Sequence, residues 1–173
     1  MAYSPITRLA YVPGQNAAFS FAQDPQFQFK EGKQNFGVTF PSLPNAERPK
    51  VPPSFLVAWD PVQQKERWRI AYPNGGFNGG ALATAGNLVF HGTTSDGVFH
   101  AYNATTGEKL WEVTLSPGMA TPVTYELDGM QYVSILGGRN DAGRLYTFAL
   151  DGKAPMPVLP VPTASKGKGR GTK

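Results

Sequence analysis

The chain has no cysteine. Disulfides, thiolate metal sites, covalent haem attachment and cysteine nucleophiles are therefore excluded within it. No apolar run approaches the roughly 20 residues that a membrane-spanning helix needs. No stretch carries the long amphipathic period of a surface helix. The opening segment Met1-Ala2-Tyr3-Ser4-Pro5-Ile6-Thr7-Arg8 has neither a basic start nor an apolar core, so no signal peptide is expected in it. No Ser-His-Asp set, phosphate loop or zinc-ligand spacing is present. Turn chemistry, in contrast, is abundant. The 173 residues include 20 glycines and 16 prolines, which favours many short strands joined by tight turns.

Charge is also sparse and unevenly placed. Sixteen basic and 12 acidic side chains leave a net +4. Lys166, Lys168, Arg170 and Lys173 account for that whole excess, so the basic character belongs to the tail and not to the fold. A low-complexity run such as Ser165-Lys166-Gly167-Lys168-Gly169-Arg170 reads as a solvated terminus, although it could also touch phosphates or anionic lipid.

One pattern occurs twice. Ala58-Trp59-Asp60 is separated by seven residues from Trp68, and Ala101-Tyr102-Asn103 is separated by seven residues from Trp111. The two copies are 43 residues apart. A fixed period in this range signals stacked repeats. With short, turn-bounded strands between the copies, it points to the blades of a β-propeller. A Trp on the outermost strand offers a flat face to the next blade and an N–H that needs a partner. The small Ala lets the ring approach a backbone.

Strands are expected as follows. A hairpin over 1–20 turns at Pro5-Ile6-Thr7 and ends at Pro13-Gly14. Residues 21–54 form a long Pro-, Gln- and Phe-rich loop, of a length usually functional or packed over a surface. Strands over 55–60 and 65–70 complete a four-stranded blade with the first hairpin. After a Gly-dense connection, a compact second blade occupies 81–113, with Gly or Asn in each turn. A last group, at about 122–126, 131–136 and 144–150, has three strands. Ala149 and Asp151 repeat Ala101 and Asn103, but no Trp strand follows.

These residues carry a resemblance. The blade ending Ala101-Tyr102-Asn103-Ala104-Thr105-Thr106-Gly107-Glu108-Lys109-Leu110-Trp111 resembles the tryptophan-docking blades of quinoprotein alcohol dehydrogenases that use pyrroloquinoline quinone (PQQ). The stretch 56–65 is similar to the haem-containing branch of that family. The stretch from Asn78 to Phe90 is the most specific match, and 124–133 completes it. The resemblance runs from residue 1 to about 155. It implies an all-β fold, a partial propeller of about two and a half blades out of eight. Residues 1–155 would be the C-terminal blades, with 21–54 as a loop insertion, and 156–173 a Pro-rich, then basic, disordered tail.

Several consequences follow from the resemblance. The family oxidises alcohols to aldehydes or ketones with PQQ and calcium, and a periplasmic location is implied. Phe77, Asn78, Gly79 and Gly80 match a Trp-x-Gly-Gly segment that contacts the quinone, with Phe77 where the family has Trp. Gly137, Gly138 and Arg139 match a Gly-rich loop that approaches the cofactor. Lack of Cβ permits close approach, and Arg139 is suited to pairing with a carboxylate. The family's catalytic Asp, its calcium ligands and its vicinal disulfide match nothing in this chain, so no catalytic or metal-binding residue is assigned. The haem attachment motif Cys-x-x-Cys-His is absent as well. Calcium would be bound by residues outside the chain, and PQQ would be shared with the remainder of the propeller. That remainder, as a separate chain, or self-association, is the expected partner beside the alcohol substrate; no nucleic acid is expected.

Several residues also have plain structural readings. The glycines of both loops could serve only their turns, and Arg139 could be a surface residue. His91 and His100 sit in expected strands with no second ligand at metal spacing, so both read as structural. Asp96, Asp128 and Asp141 fall in turns where Asp is locally favoured. For the whole chain, the alternatives are a non-catalytic interaction module, as in the propeller lipoprotein of outer-membrane β-barrel assembly, or an inactive split-gene fragment.

Overall fold

The computed structural model describes residues 1–17, 20–41, 53–73, 78–138 and 143–156. Among them are strands only, arranged as two four-stranded antiparallel sheets, one three-stranded sheet and a small ribbon. The expected partial propeller is thus present as three blades.

The first blade has the order β1 (Ala2–Ser4), β2 (Leu9–Gln15), β5 (Ser54–Asp60) and β6 (Lys65–Tyr72). β2 does not stop before Pro13-Gly14 but runs through them to Gln15, with Pro13 opposite Leu56. Proline is tolerated because of where its nitrogen faces. Asn16 donates to the Pro53 carbonyl at 2.8 Å, on the β5 side. Alternation then turns the Pro13 nitrogen to the other edge, where β1 has already ended at its Ala2–Tyr11 pair. The long segment between β2 and β5 is also not wholly a loop. It contains a two-residue ribbon, β3 (Ala22–Gln23) with β4 (Val38–Thr39).

The second blade has the order β7 (Asn78–Ala83), β8 (Leu88–Thr93), β9 (Val98–Asn103) and β10 (Lys109–Thr114). β7 starts three residues before the expected Ala81, inside the glycine-rich stretch. The third blade is β11 (Val123–Leu127), β12 (Met130–Gly137) and β13 (Arg144–Ala149), with no fourth strand among the described residues.

The repeated pattern has a geometric meaning. Ala58 lies directly opposite Trp68, and Ala101 directly opposite Trp111. In both blades the ladder slips by one residue just before the Trp, at Arg67 and at Leu110. Such a bulge re-aims the side chain that follows it. Asp60 accepts from the amides of Val62 and Gln63, and Asn103 from those of Thr105 and Thr106, so the shared Asp/Asn position closes the same turn twice.

The two tryptophans then diverge, against the equivalence that the repeat suggests. Trp68 lies flat over Gly107 of the next blade, and its Nε1–H donates to the Ala104 carbonyl at 3.1 Å. A Cβ on Gly107 would sit 2.8 Å from the indole, and Gly107 takes a φ of 77°. Glycine is therefore required on two counts. Tyr11 joins this dock, its hydroxyl donating to the same carbonyl at 3.0 Å. Trp111 has no such partner among the described residues. It is 40% exposed and meets Phe99 and Phe148 edge-on. The reason lies in the sequence: the third blade's turn runs Asp151-Gly152-Lys153-Ala154-Pro155 and carries no glycine where Gly107 stands.

Two cores result, one on each face of the middle blade. Leu9, Tyr11, Leu56 and Ala58 pack on Val89, Tyr102 and Ala104, while Phe99, Leu115 and Met119 pack on Ile135 and Tyr146.

Candidate functional site

Successive antiparallel strands put the ends of β6, β8, β10 and β12 at one end of the blades. The described connections after β8 and β10 meet there, beside the start of β7 and Gly138. The segment 115–121, between β10 and β11, ties this end together. Leu115 donates from its amide to the Gly97 carbonyl at 2.7 Å, and Gly118 to that of Thr94 at 2.8 Å. Ala120 donates to Leu136 at 2.9 Å, and Pro117 accepts from the Gly138 amide at 3.0 Å. Leu115 and Met119 are buried and pin the segment between the second and third blades.

Both glycine segments singled out from the sequence lean on this connector. A Cβ on Gly79 would lie 2.6 Å from the Gly92 oxygen and 3.3 Å from the Ala120 oxygen. A Cβ on Gly137 would lie 3.0 Å from the Ser116 oxygen and 3.2 Å from the Tyr146 ring. The space that glycine leaves is thus filled by the protein's own backbone at both positions. Gly138 takes a φ of 104° at the start of its loop. The backbone of Asn78 opens β7 and pairs with Thr93. Phe77 and Arg139 lie outside the described residues, as do Asp141 and the tail from 157.

Sequence reasoning missed the connector itself and Thr94. The Thr94 hydroxyl is buried and has no hydrogen-bond partner among the described residues. Thr94 opens the β8–β9 turn, at the same end as the glycines. Ser116-Pro117-Gly118 is the turn signal that could have drawn attention to the connector. Asp96 is explained locally: it accepts from the Thr93 hydroxyl, and from the Val98 amide at 3.4 Å. Asp128 sits in the β11–β12 turn with φ 53°.

A second polar group lies between the first and second blades. His91 and His100 are directly opposite each other on β8 and β9. Tyr72, from β6, packs against both rings, with centroids 5.4 and 5.8 Å away, and its hydroxyl meets that of Tyr102 at 3.0 Å. Burial pushes the Tyr102 hydroxyl up to about 12, and drives that of Tyr72 well above its ordinary range with help from Tyr102. His91 is fully buried and donates from Nδ1 to the Gly80 carbonyl at 3.0 Å. Burial, reinforced by His100, holds it down to about 4. His100 is also lowered by burial, against the pull of Glu112, whose Oε2 is 3.4 Å from its Nδ1 without hydrogen-bond alignment. Lys109, bonded at 2.7 Å, lowers the Glu112 carboxyl. Among the described residues no three His, Asp or Glu side chains converge as metal ligands, and no helix is long and apolar enough to cross a membrane.

Comparison with known proteins gives a consistent result. The family model described as "PQQ: Glucose/ethanol/alcohol dehydrogenase, beta-propeller domain" matches residues 57–133. The chain is 42% identical over 182 residues to a 1-butanol dehydrogenase (cytochrome c) of Thauera butanivorans, covering 92% of the chain and 26% of that protein. It is likewise 42% identical to the quinohemoprotein alcohol dehydrogenase of Comamonas testosteroni, covering 91% of the chain and 25% of the relative. A solved europium-containing methanol dehydrogenase superposes with a TM-score of 0.62 at 30% identity, over 79% of this chain and 24% of that one. The chain spans about a quarter of the length of the relatives it matches.

Proposed function

The chain belongs to the PQQ β-propeller family of glucose, ethanol and other alcohol dehydrogenases, and from that premise we propose that it forms the C-terminal blades of a periplasmic alcohol-oxidising propeller. The relatives' names speak of butanol, other alcohols and methanol, and one of them contains europium. For this chain, oxidation of an alcohol to an aldehyde or ketone is the reading these names support, with PQQ as cofactor and calcium as the associated cation. When bound, PQQ would supply the two-electron oxidant for the alcohol and the cation a Lewis acid beside it. The catalytic base and the cation's ligands belong to the rest of the propeller.

The observation that carries the reading is the shared connector. Segment 115–121 holds both Gly79 and Gly137-Gly138 at one end of the blades. PQQ is a flat, carboxylate-bearing ring system, so it needs side-chain-free backbone to lie against and donors for its oxygens. Gly138, half-buried at a φ of 104°, offers the first, while Gly79 and Gly137 are packed against the protein's own backbone and fix the loops beside it. The buried Thr94 hydroxyl, without a partner among the described residues, offers a donor of the second kind. The residues present therefore fit the group. The backbone of Asn78 and Gly79 and the Gly137-Gly138 turn would line its rim, Phe77 would cover its plane, and Arg139 would pair with a carboxylate. Trp68 over Gly107 is the tryptophan dock that holds the blades behind this rim.

The reading is tested in a propeller reconstituted with PQQ and calcium. Phe77→Trp should keep or tighten PQQ binding, since aromatic area is retained, and Phe77→Ala should weaken it. Equal PQQ affinity in all three forms would remove this segment from the site. The purified 173-residue chain alone should show no dye-linked alcohol oxidation with both additives present; turnover by it would contradict the assignment of base and cation to the rest of the propeller.

A further inference from the structure

The ladder between β7 and β8 breaks next to the proposed cofactor-facing segment. Asn78 pairs with Thr93 and Ala81 with His91, so Gly79 and Gly80 together oppose Gly92 alone. A bulge of this kind takes backbone groups out of the ladder and leaves the strand free to bend. Two consecutive glycines make that bend especially unconstrained. A side chain closes the gap. His91 Nδ1 lies 3.0 Å from the Gly80 carbonyl, at the bulge itself.

The geometry fixes the state of the ring. A carbonyl oxygen only accepts, so Nδ1 carries the proton. Nε2 is then a lone pair, and it is buried without a hydrogen-bond partner among the described residues. A second proton there would be an unpaired buried charge. No neighbour relieves this: the Tyr72 hydroxyl is engaged with Tyr102, and His100 lies directly across the ladder. Complete burial and the ring of Tyr72 hold the imidazole in place.

We infer that His91 is a positioning residue for the quinone-facing segment 78–80: its neutral Nδ1–H tautomer anchors Gly80 and so sets where the backbone of Asn78 and Gly79 stands. The inference rests on the placement of that segment at the quinone given above. His91 touches no reacting atom, and acts by replacing the ladder that the bulge interrupts.

Two variants test it. His91→Phe keeps a flat ring and removes the donor; His91→Asn places an amide N–H near the Nδ1 position. Amide exchange of the reconstituted propeller should accelerate at residues 79–83 in His91→Phe by about tenfold, the size expected for one lost net hydrogen bond. Exchange in β12 should not change, and His91→Asn should restore protection. Long-range nitrogen–proton NMR of the unsubstituted chain within the reconstituted propeller at neutral pH should show the Nδ1–H tautomer. PQQ affinity of the reconstituted propeller, read by fluorescence quenching, should fall in His91→Phe and recover in His91→Asn. An Nε2–H tautomer, or unaltered exchange at 79–83, would overturn the role of His91 and leave the placement of the segment standing. Faster exchange with the same PQQ affinity in all forms would overturn the placement itself, and the inference with it. Should His91→Phe fail to fold, the tautomer and the His91→Asn exchange pattern decide.

Discussion

At the scale of single residues, the contrast between two tryptophans with the same sequence spacing yields a stability prediction. Trp68 has a glycine floor, a carbonyl acceptor and Tyr11 beside it at 5.7 Å. Trp68→Ala should cost roughly 3–5 kcal/mol by denaturant unfolding, as for a large core truncation. Gly107→Ala should cost more than about 1 kcal/mol, since it combines a positive φ with a Cβ pressed into the indole. Trp111→Ala should cost about half as much as Trp68→Ala, because the ring stays 40% exposed and hydrogen-bonds to nothing described. Equal losses at 68 and 111 would show that the third blade docks its tryptophan after all. His91 gives a second prediction, in pH. Its value near 4 lies below the ordinary 6.5, so the unfolded chain binds the extra proton first. Stability is therefore undiminished above pH 6.5 and falls as pH drops toward 4, by a total of about 3 kcal/mol. His100, lowered by burial, adds in the same direction, while Glu112 and Asp96 oppose it there. Unfolding free energies at pH 7 and pH 4.5 should differ less in His91→Asn than in the unsubstituted chain; an identical acid loss in both would rule His91 out as the titrating group.

At the scale of strands and turns, the bulges position what matters. Three were found: before Trp68, before Trp111, and at Gly79-Gly80. None was legible in the sequence, because a bulge adds one residue and leaves no hydrophobic signature of its own. The start of β7 at Asn78 was hidden for a related reason, since glycine contributes nothing to a period-two pattern. The β3–β4 ribbon escaped because two-residue strands are too short to alternate. What the sequence did carry was punctuation. Asp60, Asn103, Asn87, Gly97 and Gly107 mark turns at which hydrogen bonding or positive φ is observed. The candidate site was half legible. Gly79 and Gly137 could be picked out by matching the family, but the connector that joins them has no side-chain chemistry to announce it. It can still be probed. Gly79→Ala would push a methyl into the Gly92 and Ala120 carbonyls, backbone that cannot swing aside. It should destabilise the chain by about 1–3 kcal/mol and raise amide exchange at Ala120 and Gly138 together, since both amides hang on the connector's register. Exchange changing at neither would mean that the two blades are not coupled through it.

At the scale of the whole molecule, the middle blade is covered on both faces and the third blade on one. Ile135, Tyr146, Val133 and Phe148 turn toward the second blade and build the second core. Alternation puts Val123, Tyr125, Leu127, Met130, Leu136 and Leu145 on the opposite face. All six are exposed, Leu145 to 69% and Leu127 to 58%. The outer edge of β13 pairs with no strand among the described residues. A contiguous apolar face of this kind is a surface awaiting a partner, and an open strand edge invites pairing. Three repeats are also about the minimum for a stable stack. On the proposed reading, the occupant that would fit both features at once is a further propeller blade: its inner face would cover Val123 to Leu145 while a strand of the same propeller would extend the sheet beside β13. A second copy of this chain would cover the face but, among its described residues, has no spare strand to offer the edge. The 173-residue chain alone should therefore self-associate or aggregate in sedimentation, and should bind a hydrophobic dye through the third blade. Adding the remaining blades of the propeller should convert it to a single closed species and protect the amides of β13. A compact monomer in sedimentation, with Arg144–Ala149 amides already protected, would show that these blades are complete without a partner and would remove the ground for placing them in a larger propeller.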